Sequence, residues 1–389
     1  MKPLSSISNN IFGQPMFKVL DDVQKLERSG KSILHFELGE PDFPTPENII
    51  SAGCYGLQNG MTHYTSSHGL FEFRQAVQQT TLFSRYFKPD IDQILVTPGA
   101  NAIIYYAIKC LADPGDDVLV PDPGFPSYFS AIAACGANPV SVKLNSNNGF
   151  VMQPEDVERA VTPKSKLLIL NSPSNPTGAV ISPELMREIY NIAVKYDLFI
   201  LSDEIYARLI FNEDHFFSPA MLDLCKERTI VANGFSKAFA MTGWRLGVAI
   251  GPENIMNKMA LLNETIVSCV PPFIQYAGIK AITGDQSQVH DMCKEYKKRA
   301  FFLADALNEL PGISCQRPGG GIYVFPDIRR SGMNSEEFAK FALTEASTAV
   351  LPGNCFGKKG EGFVRFSCVS SVSNIEKAIK NLSGALRDL

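Results

Sequence analysis

Lys237 is the side chain in this sequence best placed for covalent chemistry. It lies in Asn233-Gly234-Phe235-Ser236-Lys237-Ala238-Phe239-Ala240-Met241-Thr242-Gly243-Trp244-Arg245-Leu246-Gly247, just after an apolar run, with one arginine, Arg245, eight residues on. A lysine in such company is either a surface amine whose stem snorkels over apolar ground or a buried amine whose pKa falls by desolvation. Only the second is a useful nucleophile. Asp203 ends another apolar run, Phe199-Ile200-Leu201-Ser202-Asp203-Glu204-Ile205-Tyr206. It is either a loop or capping acid or a buried carboxylate, and burial costs several kcal/mol unless a cation pairs with it. Leu170-Asn171-Ser172-Pro173-Ser174-Asn175-Pro176-Thr177-Gly178 packs prolines and a glycine into a short span. That composition fixes a sharp turn, which is either a turn alone or a way to hold the Asn175 amide at one angle. Thr97-Pro98-Gly99-Ala100-Asn101 opens a helical pattern, and free backbone N–H groups at a helix start form an anion site.

These residues need a frame that brings distant chain ends together. From about Pro46 to Gly251, short apolar runs alternate with helical patterns. The runs are Ile94 to Thr97, Val118 to Pro121, Pro139 to Leu144, Leu167 to Leu170, Phe199 to Ser202, Thr229 to Ala232 and Gly247 to Ile250; the helices include Gly69 to Ser84, Asn101 to Leu111, Pro154 to Val161 and Ser182 to Tyr196. Such alternation predicts a mainly parallel sheet covered by helices on both faces, with ligands at the carboxyl ends of its strands. After about Gln286 the pattern changes. A charged helix from Val289 to Leu310 precedes strands at Gly321 to Phe325, Ala349 to Leu351 and Phe363 to Ser367, and helices at Ser335 to Ser347 and Asn374 to Leu386. The expected class is therefore α/β, a large domain over residues 45–285 with a smaller α+β domain formed by 1–44 and 286–389.

The segment around Lys237 closely resembles the cofactor-lysine signature of class I/II aminotransferases, the fold-type-I pyridoxal-phosphate family. The resemblance runs in family order from Gly39 to Arg365. It implies that Lys237 holds pyridoxal 5'-phosphate as a Schiff base, that Asp203 faces the ring nitrogen, and that Tyr206 and Asn175 bond the ring oxygen, with Asn175–Pro176 often cis. It implies a phosphate seat made by Gly99, Ala100, Asn101, Ser236 and Arg245, whose guanidinium fork suits that anion. Phe125, in Pro121-Asp122-Pro123-Gly124-Phe125-Pro126-Ser127-Tyr128, would stack on the ring. Tyr64, in His63-Tyr64-Thr65, would reach the phosphate of a neighbouring subunit, making the active unit a homodimer. Arg365, in Gly362-Phe363-Val364-Arg365-Phe366-Ser367, would clamp a substrate α-carboxylate, with backbone help from Gly39. Two departures stand out. Gly234 occupies a position usually held by serine, removing one phosphate contact, and Asn101 stands where some relatives that use aspartate carry lysine.

Composition fits an ordinary globular protein. The 389 residues carry a net charge of -4 without long single-sign runs, which gives no footprint for nucleic acid or an anionic membrane. The nine cysteines occur singly with no C-x-x-C pair, favouring reduced thiols in a cytoplasmic setting. His63 and His68 are poorly spaced for ligation, so no metal is expected. No run approaches a membrane span, and MKPLSSISNN lacks a signal-peptide core.

The expected reaction moves an amino group between an L-amino acid and a 2-oxo acid by a ping-pong sequence. A carbon–sulfur β-lyase, or another biosynthetic enzyme on the same scaffold, remains the alternative. Selectivity is expected from Phe12 to Phe17, Ser66 to His68 and a partner's Leu262 to Pro272, apolar or neutral apart from His68 and Glu264. That leans towards aromatic or uncharged amino acids.

Overall fold

In the computed structural model, which describes residues 2–11, 13–211 and 216–387, the helix Pro15–Arg28 leads to a short strand, β1 (Leu34–His35). The next strands are β2 (Ile94–Thr97), β3 (Asp117–Asp122), β4 (Asn138–Lys143), β5 (Ser165–Asn171), β6 (Phe199–Asp203), β7 (Thr229–Gly234) and β8 (Gly247–Ile250). They form one sheet in the order β2-β8-β7-β6-β5-β3-β4. Only β8 runs against its neighbours. The middle strands are buried throughout their apolar stretches, Leu167 to Leu170 showing 0% exposure, as a sheet covered on both faces requires. The α/β class and the mainly parallel sheet match the sequence-based expectation.

The covering helices follow local rules. In Pro183–Lys195, the Ser182 side chain accepts from Leu185 N, proline fills the first helical position, and Met186, Ile189 and Ala193 form the buried stripe. Pro271 and Pro272 divide the helical stretch beyond β8 into two helices, Glu253–Val267 and Pro272–Thr283, the second with proline at its start.

Towards the C-terminus come β9 (Tyr323–Val324), β10 (Thr348–Ala349), β11 (Leu351–Pro352) and β12 (Val364–Ser367). The single strand expected over Ala349 to Leu351 is divided. Ala349 pairs with His35 of β1, whereas Leu351 pairs with Arg365 of β12, so the chain changes sheet at Val350. The strand expected from Gly321 to Phe325 shrinks to two residues, since Gly321 has φ +80°, outside the extended region. Val23, Ile33 and Ala349 pack together, which binds the N-terminal helix to this C-terminal region.

Candidate active site

Strand direction assembles the site. β2, β3, β5, β6 and β7 all end on the same side of the sheet; Asp203 closes β6, and the segments after the other four carry Gly99, Phe125, Asn175 and Lys237. In register, Asn171 of β5 lies beside Asp203 of β6. A cavity of about 520 Å³ opens there, lined by residues including Ala100, Asn101, Phe125, Asn175, Asp203, Tyr206, Ser236, Lys237, Arg245 and Gly39. Gly99 adjoins it: a β-carbon there would lie 2.6 Å from Arg245 Nη2. Its φ of +89° starts the helix Ala100–Leu111, so glycine lets the guanidinium approach the first-turn N–H groups.

Lys237 Nζ donates to the Gly39 carbonyl at 2.6 Å. Burial holds this amine below its ordinary range, with the Arg365 and Arg245 charges adding to the depression and Tyr323 and Glu40 opposing it. Asp203 is buried, and burial pushes its carboxyl up to about 6 despite hydrogen bonds from Tyr128 and the Ile205 N–H. Tyr128 Oη donates to Asp203 Oδ2 at 2.6 Å. No cation pairs with Asp203 among the described residues.

Arg365 is fully buried. It donates through Nη1 to Asn175 Oδ1 at 3.0 Å and through Nη2 to the Glu37 carbonyl at 2.6 Å. Its guanidinium lies 4.1 Å from the Tyr323 ring centre, and its Nε has no partner among the described residues. Arg365 is thus set behind Asn175 and Tyr323, both of which line the cavity. Asn175 is aimed by its own backbone, whose N–H donates to Asn171 Oδ1 at 2.8 Å, and the peptide to Pro176 is cis. Tyr206 and Tyr323 share a hydrogen bond of 3.2 Å. Burial raises the Tyr206 phenol; at Tyr323 the Arg365 and Lys237 charges more than offset burial, and the phenol falls below its ordinary range.

Tyr64 is not among the residues around this cavity and is 88% exposed. Ser66 to His68 also lie outside the lining, His68 Nε2 meeting Asn257 Oδ1 at 3.1 Å. From the segment expected to set selectivity, Gln14, Met16 and Phe17 line the cavity, while Phe12 lies outside the described residues. A β-carbon on Gly234 would meet Ile205 Cδ1 at 2.8 Å, so a serine there would require Ile205 to shift.

Tyr128 and Tyr323 escaped the sequence reading. Tyr128 stands three residues after Phe125 at a helix start, a spacing that puts both on one face. Tyr323 follows the run Gly319-Gly320-Gly321, which lets backbone pack closely before a site residue.

The site joins an amine of lowered pKa, a buried carboxylate without a cation and an anion seat at a helix start, the set required to hold a phosphorylated pyridine aldehyde. The family model for aminotransferase class I and II matches residues 31–382. An aromatic-amino-acid aminotransferase 2 from Thermococcus litoralis is 38% identical, the match covering 95% of each chain. An aspartate aminotransferase from Pyrococcus horikoshii is 37% identical over 92% of this chain and 93% of its own. The crystal structure of an aspartate aminotransferase from Rhizobium meliloti superposes with a TM-score of 0.95 at 29% identity, covering 100% of this chain and 99% of that one. The chain belongs to the class I and II aminotransferases. It is a pyridoxal-phosphate-dependent transaminase. Asp203, buried with a phenol and an N–H but no cation, fits the protonated ring nitrogen of that cofactor.

Proposed function

We propose that Lys237 is the amine that carries the cofactor and moves the substrate α-proton, in an enzyme that transfers an amino group between an L-amino acid and a 2-oxo acid. The carrying observation is that Lys237, lowered by burial, and Asp203, without a cationic partner, line one cavity. Bound pyridoxal phosphate supplies an aldehyde that condenses with amines and a ring that accepts electrons. Asp203 would hold negative charge at the ring nitrogen, Tyr206 and Asn175 would hold the ring oxygen, and Phe125 would pack on the ring. Gly99, Ala100 and Asn101 offer backbone N–H groups to the phosphate, joined by Ser236 and Arg245. Arg365 binds the α-carboxylate and Gly39 assists through its backbone. Lys237, freed from the cofactor, would take the proton from the substrate α-carbon and hold it on Nζ for return. Water would then release the 2-oxo acid while the bound cofactor keeps the amino group, and a second 2-oxo acid would take that group up as a new amino acid, releasing water.

Residues 45–285 form the large, cofactor-holding unit in this reading, with 1–44 and 286–389 as the smaller one; the pairing of β1 with β10 supports that division. The active unit is a homodimer in which Tyr64 serves the partner's phosphate, a reading supported by its exposure and its absence from the lining of its own chain's cavity. Mixing Tyr64→Ala and Lys237→Ala proteins should then regenerate activity above the sum of the parts. No helix is long and apolar enough to cross a membrane among the described residues, and the proposed location is cytoplasmic.

Aromatic or uncharged amino acids are the proposed donors. Met16, Phe17 and Leu38 supply apolar lining, and Asn101 offers no charge. A panel of amino donors with 2-oxoglutarate tests the substrate class: faster turnover of aspartate than of phenylalanine, tyrosine and leucine would overturn it. Lys237→Ala tests the whole assignment, and is expected to abolish both the visible absorbance of the loaded protein and turnover.

A further inference from the structure

Next to Asp203 in the chain, Glu204 is fully buried yet does not line the cavity. Its Oε2 accepts from Arg85 Nε at 2.9 Å and also from Arg85 Nη2. Its Oε1 accepts from Ser202 Oγ at 3.1 Å and from Ser218 Oγ. The Glu204 N–H donates to the Ala232 carbonyl at 2.8 Å, prolonging the pairing of β6 with β7. Arg85, itself buried, is the last residue of the helix Phe71–Arg85. An ion pair this deep is a poor source of stability, because well-packed apolar residues of similar volume often serve as well or better. Its location, one residue from the carboxylate that the reaction uses, suggests another purpose.

We propose that the Arg85–Glu204 pair is a positioning device for Asp203, anchoring the strand end that aims its carboxylate and balancing the charge beside it. This rests on the reading that Asp203 faces the cofactor ring nitrogen. Glu204 anchors the chain through its bonds to Arg85, Ser202 and Ser218. Its charge disfavours ionised Asp203, and Arg85, paired with Glu204, carries the opposite charge. The groups facing Asp203 are Tyr128, Glu204 and Tyr206; those facing the pair are Arg208 and Cys225. With Arg85 and Glu204 both ionised, the pair is neutral, so Asp203 can serve the ring without a stray charge behind it.

A probe without an aldehyde separates this role from covalent chemistry at Lys237. The full chain, freed of cofactor, is loaded with 4-deoxypyridoxine 5'-phosphate, whose ultraviolet absorbance reports protonation of the ring nitrogen. The midpoint pH is measured for wild type, Glu204→Gln, Arg85→Gln, the double variant Arg85→Gln/Glu204→Gln, and Asp203→Asn. Glu204→Gln leaves Arg85 uncompensated and should lower the midpoint by roughly one pH unit. Arg85→Gln should raise it, and the double variant should return it towards wild type. Should Arg85→Gln fail to fold, the Glu204→Gln shift and its reversal in the double variant still decide. Single variants that move the midpoint in the same direction, or a Glu204→Gln shift that the double variant does not reverse, would overturn the positioning role. An Asp203→Asn midpoint equal to wild type would instead refute the ring-nitrogen reading itself.

Discussion

The phenol of Tyr128 donates to the Asp203 carboxylate at 2.6 Å, and both groups are buried. One tyrosine therefore holds the carboxylate that this reading places against the ring nitrogen of the cofactor. The bond favours the ionised acid and works against burial, which even so drives the Asp203 carboxyl up to about 6.

Tyr128→Phe removes that bond while keeping the ring. The Asp203 pKa should rise further, so the acid limb of the kcat/KM profile should move to higher pH. A loss in kcat of roughly 10-fold at neutral pH is expected, the size of one hydrogen bond to a charged group. Steady-state rates across pH 5 to 9, in steps of about half a unit, check both; an unmoved acid limb would refute the coupling.

Arg365→Lys keeps the positive charge but loses the planar fork and its contact with the Tyr323 ring. KM for the amino donor should rise roughly 10- to 100-fold, from losing about 1.5–3 kcal/mol of charged hydrogen bonding. The same substitution should leave cofactor absorbance intact, because the proposed cofactor contacts do not use Arg365. Kinetics and a visible spectrum on one preparation distinguish a substrate clamp from a structural arginine.

Gly39→Ala tests the close approach between Gly39 and Tyr323. A β-carbon at Gly39 would lie 1.8 Å from Tyr323 Oη and 2.6 Å from Tyr323 Cζ, so the buried ring must move. We expect a loss of roughly 1–3 kcal/mol, typical of overpacking, together with a weaker hold on Arg365 by Tyr323. Urea denaturation measures the first, and KM for the donor the second.

His35 supplies a pH signature away from the chemistry. Its Nδ1 meets Glu37 Oε1 at 2.8 Å and its Nε2 meets Glu27 Oε1 at 3.0 Å. The bond to Glu37 is the main cause that raises the imidazole to about 9, with Glu27 adding to it and burial opposing. Because the folded pKa exceeds the unfolded one, this stabilisation is fully present below about pH 6.5 and is lost as the pH rises through about 9. Tm should therefore decline over that window, and His35→Gln should flatten the decline. Thermal melts of both proteins in a common buffer series provide the measurement.

Much of the site was legible in the chain because its chemistry is written in short segments. Lys237, Asp203, Asn175 and Gly99 each end or follow a strand that local apolar content marks, and a mainly parallel sheet brings such ends to one side. Those four lie where short-range patterns place them, and the seven central strands were visible as apolar runs.

Contacts across the fold were not legible, because local spacing says nothing about which distant residues meet. Tyr128 reaches Asp203 across 75 positions, Lys237 reaches the Gly39 carbonyl across 198, and Arg85 reaches Glu204 across 119. Strand order decides those meetings, as does the reversal of β8, whose direction its apolar residues do not encode. The sequence determined which groups are able to react; the packing of sheet and helices decided which of them are buried, which are paired, and what protonation state each one holds.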